Sequence, residues 1–433
     1  MNYYSTNDRI RTVSLREAVL RCFAPDGGVY MPDRIPLFPS AIFRNIPQMS
    51  LKEIAYIVAS SMFGQDIDMA TINDIVRETL SFEVPLVKID SGLYALELFH
   101  GPTGTFKDIG AQFMARIVDH FIKSDHDKDG QINVFVATTG DTGSAVANAF
   151  AGIGNINLFI LYPKGTRLKL PENTDNIHPI AIRGSFEECQ RLAKEIYSDT
   201  LINSRMTVTS ANTVNIARLL PQMFFYFHAY ARLLEMEENP GEIVISVPCG
   251  NLGNLTAALF ASQMGLPVKR ILASGYGNER LWGSIGKSGL LDVNDVNSRN
   301  LANNLARINF LLRNNPTMAD MISCFTFGDT EVKEEEELML ARYGYRLNRN
   351  SAMACRAARM EMRPATSSIF LATTDPQRCP DSRFVNEPNS AAKGKRGDVA
   401  APSFPPAIGV VRDHIIAEVA RKQNKNKYHF PTL

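Results

Sequence analysis

His100-Gly101-Pro102-Thr103-Gly104-Thr105-Phe106-Lys107-Asp108 is a turn-rich segment that leads into a helix and puts a lysine in its first turn. Ile109, Phe113, Ile117 and Phe121 then fall on one face, so residues 106–121 read as an amphipathic helix. A first-turn lysine is awkwardly placed, because that end of the helix macrodipole favours negative charge. The same surroundings favour loss of the ammonium proton, which a lysine must lose to attack a carbonyl carbon and form a Schiff base. Taken alone, the segment also suits a surface lysine with Asp108 as N-terminal counter-charge.

Outward from this segment, strands and helices alternate. Residues 93–99, 132–138, 157–162 and 243–247 read as strands. Residues 143–151, 186–199, 214–234 and 255–264 read as helices. Such alternation predicts an α/β architecture with parallel-rich sheets, which bind ligands at the carboxyl ends of their strands. Residues 1–85 read as an N-terminal helical unit. It contains a Ser14-x-x-Glu17 capping box, a Pro25-Asp26-Gly27-Gly28 turn, an irregular stretch at 32–39 and helical periodicity over 51–80. Residues 86–376 form the expected catalytic region, with a smaller α/β subdomain at about 100–215 and a larger one from the flanking segments. Residues 377–433 read as an irregular tail with a short helix at 413–422, and the acidic run 331–337 as a solvated helix face on which Lys333 pairs with Glu337.

The 433 residues carry a net charge of +1, so no global field draws nucleic acid or an anionic membrane to the chain. No apolar run is long enough to span a bilayer, and the polar N-terminus lacks the core of a secretory signal. Six scattered cysteines without a C-x-x-C pair, and histidines without ligand spacing, indicate neither a redox motif nor a metal site. A cytoplasmic protein, monomeric or homodimeric, is expected.

Any anion must therefore be held locally, and three further segments suit that task. Thr138-Thr139-Gly140-Asp141-Thr142-Gly143 lies between a strand and a helix, where hydroxyls and fresh N–H groups converge. An ordinary turn capped by Asp141 or Thr142 would look the same. Cys249-Gly250-Asn251-Leu252-Gly253-Asn254 repeats the arrangement without the dinucleotide or Walker glycine pattern. Ser210-Ala211-Asn212-Thr213-Val214-Asn215-Ile216-Ala217-Arg218 sets amides, hydroxyls and one guanidinium at a helix start. It suits a carboxylate or phosphate, or simply a capping cluster.

In this order, segments 100–108, 138–143, 210–218 and 250–254 resemble threonine synthase, a fold-type II pyridoxal-phosphate (PLP) family of the tryptophan synthase β-like fold. Residues 13–32, 161–165, 266–270 and 370–376 agree, so the likeness runs from about residue 10 to 376. The resemblance implies two α/β domains and pyridoxal 5′-phosphate bound to Lys107 as the Schiff-base lysine and proton shuttle. It implies Gly250, Asn251, Leu252, Gly253 and Asn254 around the cofactor phosphate, Asp141 beside the 3′-oxygen and Thr373 opposite the pyridine nitrogen. Thr138, Thr139 and Thr142 match the loop for the substrate α-carboxylate, and Asn212, Thr213 and Arg218 match positions for the substrate phosphate. The implied reaction converts O-phospho-L-homoserine and water to L-threonine and phosphate. A related phospho-lyase or dehydratase, or a silent PLP-binding homologue, is the alternative. The chain departs from the family at Asn348-Arg349-Asn350, where an acidic-Pro-His is usual, and at Thr374-Asp375, where Ala-His is usual. The segment after Lys164 is shortened.

Overall fold

The computed structural model describes residues 1–124, 131–172, 174–275, 302–377 and 401–427. The strands are β1 Tyr3–Ser5, β2 Thr12–Val13, β3 Tyr30–Pro32, β4 Leu86–Asp90, β5 Leu93–Glu97, β6 Ile132–Ala137, β7 Ile156–Pro163, β8 Ile177–Ile182, β9 Thr207–Ser210, β10 Glu242–Pro248, β11 Arg270–Gly275, β12 Ile322–Thr326, β13 Thr366–Ala372 and β14 Ser403–Phe404. The chain packs as two compact units, Met1–Ile117 with Thr213–Arg383, and Val118–Asn212 with Phe384–Leu433.

The first unit holds a six-stranded sheet, β12-β11-β10-β13-β5-β4, parallel except for the antiparallel edge strand β4. Ala352, Met353 and Ala357 of the Arg349–Met360 helix pack against Leu93, Val244, Leu272 and Phe370 of this sheet. Small residues on that helix face let it lie close to the strands. The second unit holds an all-parallel sheet, β14-β8-β7-β6-β9. Its core joins Phe135, Phe159, Leu161 and Ile180 to Leu192 and Ile196 of the Phe186–Ser198 helix.

Four expectations need correction. Residues 1–85 lie within the first unit and are not helical throughout. Besides helices at Leu15–Arg21, Leu51–Phe63 and Met69–Thr79 they contain an antiparallel sheet, β2-β1-β3. Its strands have only two or three residues, too few for an alternating pattern to register. The smaller unit begins within the Lys107–Lys123 helix rather than near residue 100, because residues 104–106 are stitched to β13's exit: Phe106 N–H donates to Thr373 O at 2.9 Å. The expected 214–234 helix is three pieces, with a 3-10 turn at Leu220–Met223, since Pro221 has no N–H and crowds the preceding turn. The tail is ordered over 401–427: the Ile408–Lys427 helix sets Val411, Ile415 and Val419 into the second unit's core. Gly409 and two valines weaken the helical signal at its start.

On the Asp329–Tyr343 helix Lys333 meets Glu337 at 3.7 Å, as the spacing predicts. Glu335 is instead buried against Arg359 at 2.7 Å, so the acidic run is not wholly a solvated face.

Candidate active site

In the first unit β10, β13 and β5 are neighbours and run parallel, so their carboxyl ends deliver three loops side by side. The loop after β5 carries Lys107, the first residue of the Lys107–Lys123 helix. It is pinned to the loop after β13 by the Phe106–Thr373 bond, by Thr105 pairing with Thr374, and by Asp375 N–H donating to Gly104 O at 2.9 Å. Lys107 is half-buried, with Nζ 5.3 Å from the Phe106 ring centroid. Asp108 is not a solvent-facing counter-charge. It is fully buried, and its carboxylate accepts the Thr103 N–H at 2.9 Å and the Thr103 hydroxyl at 2.7 Å. Burial pushes its carboxyl above the usual range.

Thr373 is buried, and its N–H donates to Ser351 Oγ at 3.1 Å. Asn348 caps the Arg349–Met360 helix through Ser351 N–H at 2.8 Å and donates to Thr374 O at 2.9 Å. The departure at Asn348 thus supports the Thr373 loop by capping.

The loop after β10 ends at the Gly253–Gln263 helix. Leu252 there takes the left-handed conformation, φ +62°, which a branched side chain adopts only under constraint. Gly253 N–H is accepted by Asn251 Oδ1 at 3.1 Å. The N–H groups of Gly250, Asn251, Leu252 and Asn254 have no acceptor among the described residues. Asn254 is buried, and its Nδ2 also lacks an acceptor, while Tyr226 Oη donates to Asn254 O at 3.0 Å and to Oδ1. A Cβ on Gly250 would meet nothing within 4 Å. Unsatisfied donors at a helix N-terminus, opening onto free space, fit a phosphate-bearing cofactor.

Thr213 and Arg218 belong to the same unit. Thr213 Oγ1 accepts from Asn251 Nδ2 at 3.2 Å and from Asn304 Nδ2 at 2.8 Å. Arg218 is 2% exposed, its Nε has no acceptor, and no carboxylate pairs with it among the described residues. A Cβ on Gly110 would lie 2.5 Å from its Nη1, so only glycine lets the guanidinium lie against the lysine-bearing helix. Burial pushes Arg218 down to about 10, and the Asp108 carboxylate opposes that shift. A buried guanidinium with no directly bonded carboxylate is favoured further when a ligand supplies negative charge.

In the second unit, Thr138–Thr142 follows β6. Thr138 is buried, and its Oγ1 accepts the N–H of Gly140 at 3.0 Å and of Gly143 at 2.9 Å. The Asp141–Phe150 helix is therefore capped by Gly140 and Thr138, not by Asp141 or Thr142. Thr139 is exposed, and Asp141 and Thr142 are half-buried. Asn212 uses both ends of its amide on Ala137, accepting from its N–H and donating to its carbonyl, each at 3.1 Å. It prolongs the β6–β9 pairing, and Asn215 caps the next helix through Ala217 N–H, so of this segment's other groups Thr213 and Arg218 are those turned to other tasks. Sequence reasoning missed Tyr226, Asn304, Arg307 and the capping Asn348. Only Asn348 carried a local signal, Asn three residues before Ser351 at a helix start.

No cluster of metal-ligating side chains and no helix long and apolar enough to cross a membrane occurs among the described residues. Two family models match, "Threonine synthase N terminus" over residues 2–80 and "Pyridoxal-phosphate dependent enzyme" over residues 76–370. The threonine synthase of Haemophilus influenzae is 33% identical over 394 residues, 88% of this chain and 90% of the relative. That of Escherichia coli is 32% identical over 396 residues, 88% of this chain and 90% of the relative. The crystal structure of Escherichia coli threonine synthase superposes with a TM-score of 0.83 at 28% identity, covering 96% of this chain and all of that one. Since sequence and fold agree over nearly its whole length, the chain belongs to the threonine synthase family of pyridoxal-phosphate-dependent enzymes.

Proposed function

We propose that the chain converts O-phospho-L-homoserine and water to L-threonine and phosphate in the cytoplasm. The observation that carries the substrate is Arg218, a buried guanidinium that forms no ion pair with a carboxylate among the described residues. A dehydratase acting on an unphosphorylated amino acid would have nothing to neutralise there.

Bound pyridoxal phosphate supplies the electron sink. Lys107 is the residue that joins it, then takes the proton from substrate Cα and moves protons thereafter. Its place at the head of a helix whose entry is pinned fixes its backbone relative to the Thr373 loop, which limits where Nζ can reach for proton transfer. The donors of residues 250–254 hold the cofactor phosphate. With the cofactor bound, Thr373 would offer its pyridine nitrogen a hydroxyl rather than a carboxylate, which would leave that nitrogen unprotonated. Arg218 takes up the charge that grows on the phosphate leaving Cγ, before water adds at Cβ. By the family resemblance Thr138, Thr139 and Thr142 would hold the α-carboxylate, and Asp141 would face the cofactor 3′-oxygen.

Incubation of the PLP-loaded protein with O-phospho-L-homoserine is expected to yield threonine and phosphate in equal amounts. Phosphate accompanied by 2-oxobutyrate, with no threonine, would assign a phospho-lyase instead.

Gly253 supplies a second check. A Cβ there would lie 3.0 Å from Thr213 Oγ1 and 3.1 Å from its Cβ. Gly253→Val is therefore expected to displace Thr213 and Asn251 and to raise the PLP dissociation constant about tenfold or more. The melting temperature of the holoprotein should fall more than that of the apoprotein. Equal falls would make the glycine merely structural.

A further inference from the structure

Arg307, fully buried in the Ala302–Asn314 helix, sets the direction of one hydroxyl some distance along a chain of hydrogen bonds. A guanidinium only donates. Nε donates to Tyr30 O at 3.2 Å, Nη2 to Val214 O at 2.5 Å, and Nη1 to Thr213 O at 2.8 Å and Asn304 Oδ1 at 3.1 Å. Because Arg307 cannot accept, the Asn304 oxygen faces it and the Asn304 nitrogen faces away. The two hydrogens of that nitrogen go to Asn251 O and Thr213 Oγ1, each at 2.8 Å. Asn251 Oδ1 is already taken by Gly253 N–H, so Asn251 Nδ2 also donates to Thr213 Oγ1. Thr213 Oγ1 accepts two N–H groups, which fills both lone pairs. Its own proton can only be donated, and it finds no acceptor among the described residues. The hydroxyl lies against the first turn of the Gly253–Gln263 helix, as the 3.0 Å approach to a Cβ on Gly253 shows.

We propose that Thr213 donates this hydrogen bond to the cofactor phosphate, and that Asn304 and Arg307 are positioning residues that hold it in the donor sense. This rests on residues 250–254 as the seat of that phosphate, and it moves Thr213 from the substrate phosphate to the cofactor. A phosphate dianion accepts and does not donate, so a hydroxyl already committed to donation needs no reordering when the cofactor arrives.

The test titrates apoprotein with PLP and, separately, with pyridoxal, which lacks the phosphate. It compares wild type with Thr213→Val, Thr213→Ser and Asn304→Asp. Thr213→Val keeps the volume and is expected to raise the PLP dissociation constant about tenfold to a hundredfold, that of a hydrogen bond to a charged group. Pyridoxal affinity should stay at the wild-type value, and Thr213→Ser should restore PLP binding. Asn304→Asp can still accept from Arg307 but cannot donate to Thr213. It should weaken PLP binding in the same phosphate-dependent way and, like Thr213→Val, shift the phosphorus resonance of bound cofactor. Unchanged PLP affinity in Thr213→Val, with a raised KM for O-phospho-L-homoserine, would return Thr213 to the substrate and overturn the proposal. Equal loss of PLP and pyridoxal would overturn it as well, by making Thr213 structural. Wild type binding pyridoxal as tightly as PLP would instead remove the 250–254 cradle itself.

Discussion

Lys107→Ala is expected to abolish threonine formation while the protein still folds and still holds pyridoxal phosphate by its phosphate. The loss should be complete because one side chain both joins the cofactor and moves the substrate protons. General acid–base action alone accounts for about 10²–10⁴-fold in rate, and covalent attachment adds to it. The fold should survive, since Lys107 is only half-buried, and alanine is the best helix former at the head of the Lys107–Lys123 helix. The backbone bonds that pin this loop, from Phe106 N–H to Thr373 O and from Asp375 N–H to Gly104 O, do not involve the lysine side chain. Wild type should show the visible absorbance of lysine-bound cofactor, and borohydride should fix the cofactor on the peptide that contains Lys107. Label on any other lysine would sink the assignment.

Arg218→Leu should lower kcat/KM for O-phospho-L-homoserine about tenfold to a few hundredfold, the effect of losing a charge-assisted contact of about 1.5–3 kcal/mol or somewhat more where water is excluded. Arg218 is buried and forms no ion pair among the described residues, and the nearby buried Asp108 carboxylate offsets part of its desolvation. Leucine removes one charge and leaves Asp108 without that partner, so the ligand-free variant should melt close to the wild-type temperature while catalysis falls. Cofactor absorbance should not change. Arg218→Lys keeps the charge without the planar fork and should recover activity only in part. Serine or threonine as an unphosphorylated substrate is the control. Equal damage to both substrate types would make Arg218 a structural residue or a carboxylate ligand.

What could be read from sequence was what lies close together along the chain. The Lys107–Lys123 helix, β6, β7 and β10 announce themselves through local periodicity, and each strand-turn-helix junction carries its glycines, amides or hydroxyls within nine residues or fewer. β8 did not, because Pro179 sits within it. The strand tolerates this because, on the side away from β7, it borders only the two-residue β14, which it meets at Ala181 and Ile182, beyond Pro179. β9 and β12, with four and five residues, are too short to stand out from their surroundings. In the candidate site, residue identities were legible but hydrogen-bond assignments were not. Thr138 and Asn212 look like ligands in sequence, and the structure commits much of their polar capacity to their own unit's backbone. Arg307 and Asn304 were invisible because their partners are carbonyls and hydroxyls far away in the chain, and no local pattern marks such a residue.

That remoteness bears on how the molecule is made. Arg307 reaches Thr213 and Val214 across 94 and 93 positions, and Tyr30 across 277. A guanidinium stripped of water before those carbonyls are assembled has nowhere to donate, so β3, the 213–214 link and the Ala302–Asn314 helix gain from this junction only together. Contacts of such separation slow folding, and synthesis proceeds from the N-terminus. The segment around Tyr30 leaves the ribosome early but cannot close this junction until 277 further residues have followed it. This junction of the first unit thus closes late in synthesis, and the N-terminal strands spend the interval waiting for a partner that has yet to be made.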